Sequence, residues 1–143
     1  MSRTRSTLAA AAVLLACLLA AAPAGAARKA TRAQTAALAK AVFASPVGGG
    51  DAGFKARFRV TDAKISTISR SWATATVAPK PRWQDSLQGG YAIAVQPAGT
   101  KQWVVVDFGT ALVGCGIAPN SVIADLLGIK TIKTVCPPGE GVE

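Results

Sequence analysis

A chain of 143 residues that is 50% hydrophobic but only 6% aromatic, with 16 Lys and Arg against 7 Asp and Glu and no His, is narrowly bounded in its chemistry. Three Cys without a Cys-x-x-Cys pair and without His exclude the usual zinc and redox donor sets, and seven acids leave few carboxylates for acid–base work. No metal and no cofactor are expected, and the expected role is non-catalytic.

The first segment reads as a secretory signal peptide covering residues 1–27. Arg3 and Arg5 precede fifteen apolar residues from Leu8 to Ala22, too few to cross a bilayer, where about eighteen or more are needed. Pro23 and the small residues Ala24-Gly25-Ala26 then place cleavage after Ala26 or Ala27. Leu14-Leu15-Ala16-Cys17 offers a competing reading as a lipobox, which would anchor the exported chain to a membrane through a lipid on Cys17; against it stand the bulk of Leu15 and the apolar run that continues beyond the cysteine.

Setting aside residues 1–27 leaves residues 28–143, enough for one domain and too few for two. The domain is expected over 28–136, with 137–143 a loose tail. Less Arg3 and Arg5, the 16 cations become 14 against the same 7 acids, a net charge of +7. An exported cation meets wall polymers, anionic lipids and acidic extracellular polymers before it meets nucleic acid. The charge therefore points to an anionic cell-envelope polymer or another exported protein, with solubility alone as the plainer account; it fixes no oligomeric state. Two cysteines remain after export, so one disulfide, Cys115 to Cys136, follows without a choice of connectivity.

In chain order, a helix is expected from Arg32 to Ala44. Thr31 and Gln34 form a capping box, and Ser45-Pro46 followed by Gly48-Gly49-Gly50 ends it, with Thr35, Leu38, Ala39, Val42 and Phe43 on one face. From Phe54 the period changes to two: Phe54, Ala56, Phe58 and Val60 alternate with Lys55, Arg57, Arg59 and Thr61, the pattern of a strand with one cationic face. Ile65 and Ile68 break that alternation, which predicts a bulge or bend within 62–67 before a turn at Ser69-Arg70-Ser71. Trp72 to Ala78 is the next strand, 79–90 an exposed Pro- and Gly-rich loop, Tyr91 to Gln96 a strand, and Gln102 to Phe108 the strongest strand of all. A short helix at Val122 to Leu127, capped by Asn120 or Ser121 and stopped by Gly128, precedes a half-buried segment carrying Ile129, Ile132 and Val135.

These elements predict an α+β domain, an N-terminal helix packed on a curved antiparallel sheet of about four strands, with a short C-terminal helix tied back by the disulfide; in outline the order is cystatin-like or nuclear-transport-factor-like. Trp72-Ala73, the run Trp103-x-Val105-x-x-x-Gly109-Thr110, and Gly114-Cys115 resemble a pattern of small exported, uncharacterised proteins of high-GC Gram-positive bacteria, over about Ile65 to Cys136. The resemblance implies export and a disulfide and supplies no catalytic residues.

Two functional expectations follow. The first is a non-catalytic binding module whose contact residues are Lys55, Arg57 and Arg59, spaced about 7 Å apart along one strand face, with Lys80 and Arg82 beside Trp83, whose ring is suited to stack on a ligand. The ordinary account of the same residues is a solvated strand that discourages aggregation, with Trp83 folded back onto the sheet. The second is a small hydrolase or isomerase with a pocket near Asp107, which Asp62 or Asp85 would join; the ordinary account is that Asp107 faces solvent or caps the Gly109-Thr110 turn. Gly48-Gly49-Gly50 follows a helix and reads as a linker, not a phosphate loop.

Overall fold

The computed structural model of the protein describes residues 26–47, 50, 52–130 and 136. The expected signal segment before Ala26, the tail 137–143, and Ile132 and Val135 lie outside the described residues. The architecture is α+β: five antiparallel strands in sequential order, with helices on both faces and the Cys115–Cys136 disulfide closing the C-terminal side.

The first strand, β1 (Arg28–Lys29), is the one beyond the expected four. It pairs with Lys64 and Ile65 of β2 (Phe58–Ile65), and Ala30 extends the ladder by donating its N–H to the Ala63 carbonyl at 2.8 Å. Helix α1 (Arg32–Ala44) has the expected capping box: the Gln34 N–H donates to Thr31 Oγ1 at 3.2 Å, and the Thr31 N–H donates to Gln34 Oε1 at 3.0 Å. Its Leu38 and Val42 are fully buried on the central strands β3 (Trp72–Pro79) and β4 (Gly90–Val95). Opposite them lie Ala73, Ala75, Ala92 and Ala94, whose short side chains let the helix approach closely.

The expected strand from Phe54 begins four residues later. Ala52–Arg57 is a short helix, α2, and only from Phe58 does the chain run extended. Phe54 and Phe58 stand four apart, a spacing that satisfies a helical face and a strand face alike, so the alternation was ambiguous at its decisive positions. The helix brings Phe54 onto Phe58, with ring centroids 4.5 Å apart, and sets its edge against Phe108 at 5.8 Å. Ala56, expected on the apolar face, is exposed as a result.

Two bulges bend the sheet. In β2 the extra residue is Thr61, between the pairs Val60 with Val77 and Asp62 with Thr76, just upstream of the expected bend. In β5 (Val104–Gly109) the extra residue is Val106, between Ala94 with Val105 and Ile93 with Asp107. Strict alternation over Gln102 to Phe108 would set Trp103 and Phe108 on opposite faces; with the bulge, Trp103, Val105 and Phe108 all pack on the α1 side, and Val106 packs on the other.

That other face is covered by α3 (Asn120–Leu127), whose Val122 and Leu126 pack with Ile93 and Val113. Its N-cap is Pro119, not a capping side chain; Asn120 turns Oδ1 inward, where no donor among the described residues meets it. Gly128 ends the helix in the left-handed conformation, as expected. Gly114, at φ 86°, lies wedged between Ile93 and Ile123, where a β-carbon would stand 3.3 Å from each side chain. Cys115 follows directly, so the disulfide, the Gly114 turn and α3 form one connected block.

Candidate functional site

The acids settle where the free charge lies. Asp107 Oδ1 accepts the Phe108 N–H at 2.8 Å and Oδ2 accepts the Gly114 N–H at 2.6 Å, so this carboxylate fastens the 110–116 loop to the strand end. The sequence placed its contact at Gly109-Thr110; it falls a few residues beyond. Asp107 lines neither of the two concavities described below. Asp125, which sequence reasoning passed over, is buried on α3 at 3% exposure and accepts from Ser66 Oγ and the Thr67 N–H, each at 2.7 Å, and from Thr67 Oγ1 at 3.1 Å. The signal was present: a carboxylate three residues after Val122 inside an otherwise apolar helix sits on its buried face. Ser66 Oγ in turn accepts from the Ile68 and Ser69 N–H groups, so Asp125 organises the whole β2–β3 turn.

With those two acids engaged internally, the described surface is dominated by cations, and no ion pair forms among the described residues. The expected row Lys55, Arg57, Arg59 does not exist as a row, because the first two stand on α2 and only Arg59 is on a strand. Arg57 turns back, donating from Nε to the Gly53 carbonyl at 3.0 Å. Arg82 lies 5.4 Å from the centroid of the Trp83 ring, a cation–π pair on the 3₁₀ turn Pro81–Trp83, and both stand apart from the concavities.

Lys55, Arg59 and Lys80 are brought together at a groove of about 650 Å³ between α1 and β2. Lys80 is fixed there by its Nζ donating to the Lys55 carbonyl at 2.9 Å and its backbone N–H donating to the Arg57 carbonyl at 2.8 Å. Lys29 from β1 and Arg32 from the first turn of α1 complete the rim. Neither was expected, since only the nonlocal pairing of β1 with β2 carries them to the groove. Five cations thus surround one space with Asp62 as the only acid lining it. The groove adjoins an edge: β1 and Ala30 cover β2 from Ala63 to Ile65, so β2 from Phe58 to Asp62 has no strand on its outer side among the described residues.

A second concavity of about 610 Å³ opens on the opposite face, between α3 and the 110–113 loop. Thr74, Thr76 and Tyr91 are among its lining residues, Lys64 and Asp62 balance one another in charge, and Leu112 lines it with the strained φ of 54°. The groove is the concavity with a net charge.

No family model, curated protein or solved structure matches this chain. Fold and site define it on their own terms, as a disulfide-closed α+β domain with a cationic groove. Among the described residues no helix is long and apolar enough to cross a membrane, and the disulfide is compatible with an extracellular location.

Proposed function

We propose that the protein is an exported, non-catalytic binding module that holds an anionic ligand in the groove between α1 and β2. The observation that carries this reading is the convergence of Lys29, Arg32, Lys55, Arg59 and Lys80 from three separate stretches of chain on one space lined by a single carboxylate. Like charges brought together without counter-ions repel, and the field they make favours an anion from the cell envelope or an acidic exported partner. Export is supported by the disulfide and by the signal-like segment at residues 1–27.

The test is retention on immobilised inorganic polyphosphate. Retention should fall steeply with ionic strength, and Arg32→Glu with Arg59→Glu, both exposed, should weaken binding tenfold or more while leaving the melting temperature nearly unchanged. Absence of binding by the unaltered protein at low salt, or binding indifferent to the double substitution, would overturn the proposal.

A further inference from the structure

Resting on that reading, we infer that the groove takes an anionic amphiphile, a single alkyl or acyl chain beneath an acid head group. The rim explains an anion; it does not explain what lies below it. Between the cations the walls are carbon: Ala36, Ala39 and Phe43 descend from α1, and Phe58, Val60 and Ala63 rise from β2. A polyphosphate or acidic polysaccharide would engage the rim and leave those walls wet. A hydrocarbon chain laid along them removes apolar surface from water on both sides, and its head group then lies within reach of the rim cations. The volume of about 650 Å³ lies within the range of about 300–1,000 Å³ of small-molecule pockets.

The geometry also explains the small residues. Ala36 and Ala39 leave a trough along α1 between Arg32 and Phe43, and Thr35 beside them is half-buried. Phe43 and Phe58 close the groove near the Phe54 cluster, which limits the length of chain the trough accepts. Affinity should therefore climb with chain length and then level off.

The experiment titrates the exported form with saturated fatty acids of eight to sixteen carbons below their micelle concentrations. Parallel titrations use a neutral alkyl glycoside of matched chain, inorganic polyphosphate, and vesicles of an anionic phospholipid. The expected result is a gain of about fourfold in affinity per added methylene over the shorter members, the transfer free energy of one CH₂, followed by a plateau. The matched neutral amphiphile should bind at least tenfold more weakly. Ala36→Trp, at an exposed helix position, should abolish fatty-acid binding and spare retention on polyphosphate. Binding of polyphosphate together with fatty-acid affinities independent of chain length would overturn this inference and leave the anion-binding reading intact. Vesicles binding where monomeric amphiphile does not would replace the pocket by a membrane surface. Failure of every anion to bind would overturn both.

Discussion

Removing the Asp125 carboxylate should strongly destabilise the α3 side, and its amide analogue should cost much less. In Asp125→Ala, Ser66 Oγ, the Thr67 N–H and Thr67 Oγ1 all lose their acceptor, and the Ser66 hydroxyl is fully buried where water cannot replace it. Hydrogen bonds to a charged group contribute about 1.5–3 kcal/mol each but do not add in full within one network, so the loss is about 3–5 kcal/mol. For a domain of this size that lowers the melting temperature by roughly 12–20 °C. Asp125→Asn behaves differently because the network can be rewired. With the amide oxygen in the Oδ2 position it accepts from Ser66 and Thr67 N–H as before, and the amide nitrogen in the Oδ1 position donates to Thr67 Oγ1, which is able to accept. The cost of Asn should stay near about 1 kcal/mol, the difference between a charged and a neutral acceptor. Thermal and denaturant unfolding of the three proteins decides the matter, with hydrogen exchange of the Thr67 amide as the local reporter. Equal destabilisation by Asn and Ala, or a loss below about 1 kcal/mol for Ala, would show that the carboxylate does not organise the turn.

Two further expectations concern the sheet and the crosslink. Val105→Ala, in the core under α1, should cost about 2 kcal/mol, and Val106→Ala, half-buried at the bulge, about 1 kcal/mol; the reverse order in chemical denaturation would mean that the bulge is placed wrongly. Cys136→Ser should lower stability by about 3 kcal/mol for a crosslink of sequence separation 21, and, if the chain is exported as proposed, intact mass of the protein recovered from the culture medium should show one disulfide and a first residue at Ala27 or Arg28. Two free thiols or a lipid on Cys17 would contradict it.

What could be read in advance was local or forced. The Thr31 and Gln34 capping box lies within four residues, the strand from Trp72 to Ala78 is settled by its own residues, and the disulfide needed only a count of cysteines. What could not be read depended on partners far along the chain. Strand β1 is two residues long, too short for any period, and exists because Lys64 and Ile65 offer it an edge. Val106 is bulged by its pairing with β4, and nothing in Val104-Val105-Val106 marks which valine is extra, so counting by twos from Trp103 sets Phe108 on the wrong face. The site was legible in part for the same reason: Lys55, Arg59 and Lys80 were recognised as cations, but the groove that collects them with Lys29 and Arg32 is made by α1 crossing over β2. Arg57, Arg82 and Trp83 were named for their chemistry, and their contacts are spent on neighbours in the chain.

The two faces of the sheet are held by different means. On the α3 side the Asp125 network and the disulfide join segments far apart in sequence, and the Asp107 clasp fastens the 110–116 loop between them. On the other, α1 meets the strands through packing, and among the described residues a single exposed hydrogen bond, Arg28 NH1 to Gln34 at 3.3 Å, joins it to a strand. Helix α1 is therefore expected to open locally before the rest of the domain, with its amides exchanging ahead of those of β3, β4 and α3; equal protection of all four would contradict this. One wall of the groove thus stands on α1 and the other on β2, so a local opening of that single helix would widen the groove without breaking the Asp125 network or the disulfide.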